Sequence, residues 1–402
     1  MAHHTLSSAS RATCPQELVD LILGETDRDN LKSCALVARS FRPTSQKLIF
    51  SDLTILPSGR DSILALQRLA DVLSASPHLA LHVRTLHLVQ PRFNEPCVWM
   101  QSDILSVILS VFTGLESLNI RLFNWDYLHS SCEQAIYALI TRSSLSSIEL
   151  QETRLQTSAR LLALLRCFPA SLESVSFLTV FAAHDWSDRD DQKIASIELH
   201  QLRLASLHLN SHSPALLHWA IRAVDPKCLR HLHTIVVPHT LHDVQELLDS
   251  AVYVETYNLS FQSVFSHLES PNLEKMQGLR TLEISVTLNW GEIEEVGEQG
   301  QHNPLNDAMR TLDTAPHTVE HLVLNLNIWN PDELFRFMGS ASLEHLGEGL
   351  PALRDVVVRL RSRYDDLALQ RGIRYLTAVF HRLQYQGMLT AIVVRPPRRG
   401  IN

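Results

Sequence analysis

The sequence predicts an α/β fold in which a short N-terminal helical segment precedes an irregular solenoid of strand–helix units. An apolar string of the form L-x-x-L-x-L, with other aliphatic residues allowed at the L positions, recurs along most of the 402 residues. Amphipathic helical patterns separate the strings, and successive strings lie roughly 25 to 40 residues apart. Short strands that alternate with helices at a repeating spacing are typical of stacked repeats, in which each unit packs on its neighbours.

The strings define the predicted strands, because the two-residue period of a strand places all the L positions on one face. The strong strings are Val83–Leu88, Leu115–Ile120, Leu145–Leu150, Leu172–Phe177, Leu204–Leu209, Leu232–Val237, Leu279–Ile284, Val319–Leu324 and Leu353–Val358. Weaker strings are Tyr257–Phe261 and Leu389–Val394. The helical patterns include Ile63–Leu73, Asp103–Leu109, Ala159–Leu165 and Val244–Leu248. We therefore expect residues 54–395 to form a leucine-rich-repeat solenoid of about ten units. The asparagine or cysteine that usually follows the strand is mostly missing, so we expect irregular units.

Composition excludes several functional classes. Hydrophobic residues make up 45% of the chain and charged residues 19%, which argues against a disordered protein. The net charge is −8, so we expect no nucleic-acid partner. The one basic cluster comprises Arg395, Arg398 and Arg399, and we expect residues 396–402 to be a solvated basic tail.

Six cysteines are present without a C-x-x-C pair, which favours neither a zinc site nor a disulfide framework and indicates a reducing compartment. Residues 1–12 are small and polar, lack the apolar region of a secretory signal, and are expected to be disordered. No window approaches the apolar length of a membrane span. We therefore expect an intracellular protein of the cytoplasm, the nucleus or both, with no membrane association.

Residues 13–53 form a separate helical pattern. Pro15 fits the beginning of a first helix, and Gly24 fits its end. Asp29 or Asn30 is predicted to cap a second helix that runs to about residue 40. Pro43 is expected to begin a third helix. Three helices of this size bury little surface, so we expect the segment to pack on a partner or on the next domain.

This segment resembles the F-box in the form common among fungal F-box proteins. The matching residues are Pro15, Glu17, Leu18, Ile22, Leu23, Leu31, the run Cys34–Phe41, Leu48, Phe50 and Leu53. Cys14 stands where leucine usually precedes the proline, and Phe41 stands where tryptophan is usual. The resemblance covers about forty residues and lies directly before the repeats.

The resemblance implies a function in protein degradation. Members of this family bind the Skp-type adaptor of Skp–cullin–F-box ubiquitin ligases, and their repeats present a substrate protein to the cullin ligase. The positions that the resemblance assigns to the adaptor contact are Pro15, Leu18, Ile22, Leu36 and Val37. The alternative for these residues is that they only hold the three helices together.

The solenoid offers a second candidate surface. Residues between the L positions point to the opposite face of each strand and line one concave surface. These residues are His87, Asn119, Arg121, Glu149, Gln151, His208, Asn210, Glu283, His321, Asn325, Asp355 and Arg359. They are either a solvated sheet face or a polar surface that binds an unknown substrate protein by complementarity. Tryptophans outside the strands, at positions 99, 125, 186, 219 and 290, are expected in loops or helices that could expose them.

A search for reaction chemistry gives no candidate catalytic residue. Phosphate-binding, dinucleotide-binding, zinc-protease and nucleophile-elbow motifs are all missing. The histidines alternate with leucines and lack other ligands at suitable spacing, so we expect no metal and no cofactor. The sequence therefore favours a non-enzymatic substrate receptor of a ubiquitin ligase. The alternatives are a repeat scaffold outside the ubiquitin system and an enzyme with an unrecognised site, for example in the acidic segment 291–300.

Overall fold

The computed structural model describes residues 14–57, 61–91, 97–155, 157–182, 201–210, 213–261, 270–288, 304–328, 349–362, 370, 373–374, 378 and 381–394. The predicted disordered N-terminus, the basic tail, the acidic segment 291–300, Trp186 and Trp290 lie outside these residues.

The described helices belong to a head and to the repeats that follow it. Those of the head are α1 (Gln16–Gly24), α2 (Arg28–Val37) and α3 (Arg42–Ser51). Those of the repeats are α4 (Ser62–Ala75), α5 (Pro77–Ala80), α6 (Ile104–Ser110), α7 (Ser130–Ile140), α8 (Ser158–Arg166), α9 (Pro214–Ala223), α10 (Leu241–Ser250), α11 (Pro304–Asp313) and α12 (His381–Tyr385). Three short 3₁₀ helices span Val98–Gln101, Trp125–Tyr127 and Pro238–Thr240.

The strands form one long parallel sheet and one short pair. Those of the long sheet are β1 (Asp52–Ile55), β2 (Thr85–Val89), β3 (Ser117–Arg121), β4 (Ser147–Gln151), β6 (Ser174–Leu178), β8 (Ser206–Asn210), β9 (His231–Val236), β10 (Thr256–Phe261), β11 (Thr281–Leu288), β12 (His321–Ile328), β13 (Asp355–Ser362) and β14 (Leu389–Val394). The short pair is β5 (Arg154–Leu155) and β7 (Phe181–Ala182).

The long sheet follows the chain in sequence order. Within the described residues it has twelve strands, and every neighbouring pair is parallel. The predicted strings lie at these strands, and the two weaker strings form β10 and β14. The predicted strand–helix solenoid is therefore confirmed, with more coils than the ten expected, since β1 precedes the first strong string.

One continuous hydrophobic core runs the length of the solenoid. In β2, β3, β4, β6 and β8 the L positions of each string are buried, and the residues between them are partly buried or exposed. In β2, for example, Leu86 and Leu88 have no exposed surface. Because the helices pack behind this apolar side, the other side of the sheet is left to its polar residues, as the strand period requires.

The polar groups that replace the missing asparagine lie just beyond the strands. Gln90 is fully buried, and its Oε1 accepts a hydrogen bond from the backbone N–H of Asn124 in the next coil at 3.0 Å. The Asn124 side chain in turn accepts from the N–H of Asp126 at 3.1 Å. Long polar side chains therefore satisfy buried backbone groups at this turn.

Three coils leave the sheet through a strained residue. Leu122, Glu152 and Thr179 each follow a strand and have φ values of 56°, 49° and 55°. In this conformation each N–H donates to a carbonyl of the next coil, as Thr179 does to Asn210 at 2.7 Å. The left-handed region is unfavourable for residues with a Cβ, and most of all for β-branched ones.

Replacing Thr179 with glycine should stabilise the protein by about 0.5–1 kcal/mol, because strain relief outweighs the added entropy of the unfolded chain. The Thr179 side chain is exposed, so little packing is lost. Thr256→Gly is the matched control, since Thr256 lies in a strand and should lose stability. Urea unfolding of the three proteins measures both effects, and a Thr179→Gly protein less stable than the wild type would contradict the prediction.

The predicted frame of the string Leu232–Val237 is wrong. In β9 the inward residues are Leu232, Thr234 and Val236, whereas the predicted frame required Leu232, Ile235 and Val237. The buried Thr234 hydroxyl lies 2.7 Å from the phenol oxygen of Tyr257, and the two groups satisfy each other by a hydrogen bond. A polar residue is therefore tolerated inside this strand, and the correct frame makes His233 an outward residue.

The expectation that loops or helices could expose the tryptophans is also wrong for those described. Trp99, Trp125 and Trp219 are at most 1% exposed. Trp125 stacks on Tyr137 at a ring-centroid distance of 5.8 Å, and Phe123 lies edge-on to it at 5.9 Å. These three tryptophans are buried in the core and leave no side-chain surface for a partner.

The head is a small three-helix unit with its own apolar cluster. Val19, Leu23 and Leu31 are buried, and side chains of α3 pack on them. Asp27 caps α2 by accepting from two backbone N–H groups, so the predicted cap at Asp29 or Asn30 is wrong by two to three positions. This helix also ends earlier than predicted, at Val37.

Candidate protein-interaction surfaces

The head exposes large apolar side chains on two of its helices. On α1, Leu18 is 50% exposed, Leu21 is 68% exposed and Ile22 is 65% exposed. On α2, Leu36 and Val37 are 84% and 79% exposed. We call these five residues the head patch.

The helical period explains why α1 is apolar on two sides. Val19 and Leu23 are four residues apart and face the core of the head, whereas Leu18 and Ile22 share an adjacent side that is exposed. Pro15 precedes the helix and is exposed. Every residue assigned to the adaptor contact by the resemblance therefore lies outside the head's own core. Leu21 was not anticipated, although its spacing from Leu18 could have indicated it.

The head is joined directly to the solenoid. Helix α3 ends at Ser51 and strand β1 begins at Asp52, so no linker separates them. Nη2 of Arg28 donates to the carbonyl oxygens of Ile49 and Asp52 at 3.1 and 3.0 Å. Phe50 packs against the core of the solenoid. The head is thus a fixed first element of the repeat array.

The predicted concave residues lie on one side of the sheet in three rows, which run across the strands. His321 and Asp355 are register neighbours in the first row. The second row contains His87, Asn119, Glu149, His208 and Glu283, and the third row contains Arg121, Gln151, Asn210, Asn325 and Arg359. All twelve predicted residues therefore belong to this face, although Asn325 is itself buried. Their role in binding a substrate stays a prediction.

Some charges on this face pair with each other. Nε2 of His87 lies 3.3 Å from a carboxylate oxygen of Asp52, and Nδ1 of His321 contacts the carboxylate of Asp355. The carboxylate of Glu283 accepts from Asn325. The face is therefore a set of local polar contacts of mixed sign.

Two histidines stack at the centre of the face. The rings of His208 and His233 are register neighbours with centroids 3.7 Å apart and planes inclined by 18°. Burial lowers the pKa of His208 to about 4. Burial, and secondarily the neighbouring His208, lowers the pKa of His233 to about 3. Both rings are therefore neutral at physiological pH.

Two residues of this centre were missed by sequence reasoning. His233 was not predicted to lie on the concave face, because the inward residues of the string Leu232–Val237 were chosen wrongly. Asn258 lies in β10, next to His233 in register, in a string too weak to be used. The repeated Leu-His-x pattern of β8 and β9 is the signal that could have found His233.

Three polar atoms of the concave face are buried without a hydrogen-bond partner. They are Nε2 of His208, Oδ1 of Asn258 and Oδ1 of Asn325. Among the concave-face residues that the structure describes, such atoms occur only from β8 to β12. Unpaired buried polar atoms are rare and require an explanation, for which a ligand is one candidate.

The sheet, the stacked coils and the L-x-x-L-x-L strands define a strand–helix solenoid. No protein-family model and no curated protein matches the chain. Among solved structures, the chain is similar to the leucine-rich-repeat-containing protein LegL7 from Legionella pneumophila. The identity is 11% and the TM-score 0.38, over 81% of this chain and 98% of that one.

Neither a membrane helix nor a metal site is found in the part of the chain that the structure covers. None of the helices there is both long and apolar enough to cross a bilayer. No group of three or more His, Cys, Asp or Glu side chains there is arranged to bind a metal ion.

Proposed function

We propose that the chain is a substrate receptor of a Skp–cullin–F-box ubiquitin ligase. The head would bind a Skp-type adaptor, and the concave face of the solenoid would bind the protein to be modified. The observation that carries the proposal is the head patch, five large aliphatic side chains exposed on α1 and α2. These helices belong to the segment that resembles the F-box.

The patch has the chemistry of a docking surface. Exposed aliphatic groups on a small helical unit leave apolar area in contact with water, and burial against a partner is worth about 25 cal/mol per Å². Clustered apolar side chains on a surface are a common mark of a protein interface. Aliphatic residues spaced along one helix face fit a hydrophobic groove of a partner.

The proposed mechanism is proximity. The chain would supply no catalytic group, and its two surfaces would hold a target near a ligase bound through the adaptor. Tethering of this kind raises the effective concentration of the target without new bond chemistry. The direct joint between α3 and β1 supports it, because a fixed joint loses no orientation to a flexible linker.

The test is binding of the full chain to a purified Skp-type adaptor. The variants are Leu18→Glu and Leu36→Lys, because negative charge suits the first turn of α1 and positive charge suits the last turn of α2. Each variant should fold as the wild type does. Each should lose at least about 30-fold in affinity, as expected for a hot-spot residue worth about 2 kcal/mol.

The matched control is Val72→Lys on α4, which alters an apolar residue 47% exposed but outside the head. Its affinity for the adaptor should equal that of the wild type. A wild-type chain that does not bind the adaptor would refute the ligase role and leave a repeat scaffold outside the ubiquitin system. Unchanged affinity of both head variants would refute the head patch as the contact.

A further inference from the structure

The amide of Asn325 is fixed with its oxygen unpaired. Asn325 is only 4% exposed on β12. Its Nδ2 donates to Oε1 of Glu283 at 2.5 Å and to Oγ of Ser285 at 3.0 Å. Reversing the amide would place its oxygen against the Glu283 carboxylate, which two acceptors do not tolerate. The buried Oδ1 therefore remains an acceptor without a donor.

Two further acceptors lie beside it. Glu283 on β11 and Asn258 on β10 are register neighbours, so their backbones are about 4.8 Å apart. Oδ1 of Asn258 is also buried and unpaired. Three neighbouring strands thus carry a carboxylate on the middle strand and an asparagine with an unpaired oxygen on each side strand. We call Asn258, Glu283 and Asn325 the acceptor cluster.

Two oxygen atoms of the acceptor cluster lack a hydrogen-bond donor. A buried polar atom without a partner is unfavourable, and a ligand that supplies the hydrogen bond recovers this loss. A cationic donor is favoured because one of the acceptors is a carboxylate. The neighbouring His233 is neutral at physiological pH, since burial lowers its pKa to about 3, so it does not repel a cation.

The chain's own Arg359 indicates the kind of cation. Arg359 on β13 is a register neighbour of Asn325, and its side chain extends across β12 to reach Glu283 on β11. Nη1 of Arg359 stops 3.7 Å from Oε1 of Glu283, which is too far for a hydrogen bond. Arg359 is 36% exposed and Glu283 is 26% exposed, so solvent reaches both. A guanidinium thus forms a long ion pair with the carboxylate of the cluster but no hydrogen bond to it.

We propose that the acceptor cluster binds an arginine side chain of the partner protein, with Arg359 moving aside. The planar guanidinium carries five donors in a fixed fork, which suits a carboxylate and two unpaired amide oxygens on adjacent strands better than the point charge of lysine does. The inference rests on the proposed use of the concave face for partner binding. It names the group on the partner that this face recognises.

The probe is N-acetyl-arginine N-methylamide, titrated into the full chain and followed by the imidazole NMR signals of His208 and His233. Saturable shifts are expected with the arginine probe, with at least about tenfold weaker binding of the lysine probe and of the citrulline probe, which lacks the charge. Equal binding of the citrulline probe, or no saturation with the arginine probe, would overturn the proposal.

Variants locate the site. Glu283→Gln should weaken the arginine probe at least about tenfold, the effect of about 1.4 kcal/mol lost from a charge-assisted bond. Glu149→Gln is the matched control, since Glu149 lies in the same row on β4, away from the cluster, and should change nothing. Equal weakening by both substitutions would place the probe elsewhere and overturn the assignment.

The substitution Arg359→Ala should change the affinity for the arginine probe in the opposite direction. Removing the competing guanidinium should tighten binding of the arginine probe about threefold or more, because the acceptor cluster is then unobstructed. Weaker binding after this substitution would overturn the proposal, because it would make Arg359 part of the contact. The substitution changes a partly exposed side chain, so it serves even if Glu283→Gln does not fold. Adaptor binding is measured separately, so failure of the arginine site and failure of the head patch are distinguishable.

Discussion

Replacing Trp219 with alanine is expected to lower the free energy of unfolding by about 3–5 kcal/mol. Trp219 lies on α9, is 1% exposed and has both Phe168 and Phe177 edge-on to its ring at 5.6 and 5.7 Å. Phe177 belongs to β6, in the coil before Trp219. The substitution leaves a cavity between two coils and removes two aromatic contacts.

The measurement is urea unfolding followed by far-UV circular dichroism. Tyr385→Ala is the control, since Tyr385 is 93% exposed and its loss should cost less than about 0.5 kcal/mol. In a stacked array the coils are coupled mainly to their neighbours, so the Trp219 cavity should also uncouple the unfolding of the two halves. A loss below about 1 kcal/mol would contradict the placement of Trp219 in the core.

The second large effect concerns pH. The pKa values of His208 and His233 are lowered from 6.5 to about 4 and about 3. The unfolded chain therefore binds protons at these residues before the folded chain does. Stability is unaffected above pH 6.5 and falls as the pH decreases from that value, because protonation favours unfolding. The loss by pH 4 should be on the order of 3 kcal/mol for each histidine, or about 6 kcal/mol for the pair.

The double variant His208→Asn with His233→Asn isolates this effect, because every other titrating group is retained. Its free energy of unfolding should fall less than that of the wild type between pH 6.5 and pH 4. Parallel curves for the two proteins would show that the stacked pair does not govern the acid sensitivity.

The repeats could be predicted from sequence because their apolar period is local. Leu86 and Leu88 lie two residues apart, and that spacing alone gives the strand and its buried face. The inward residues of β9 were predicted wrongly for a physical reason, since its apolar residues fit two alternative L-x-x-L-x-L alignments. The observed frame follows the register with β8, and it buries Thr234 against Tyr257, 23 positions further along the chain.

The candidate sites depend still more on long-range contacts. No local pattern shows that Trp219 meets Phe177, or that Asn325 bonds to Glu283 across 42 positions. The helices of the head were easier to predict from the sequence, because proline and the helical period are short-range signals. Even there, only packing distinguishes Leu23, which is buried, from Ile22, which is exposed.

The direct passage from Ser51 in α3 to Asp52 in β1 would fix the distance between a partner on the head and a protein on the concave face. A protein on the concave face would then lie at a set angle and a set distance from the partner that binds the head. This distance would then select among targets. Only proteins whose modifiable groups lie at that distance would be modified, however tightly other proteins bound.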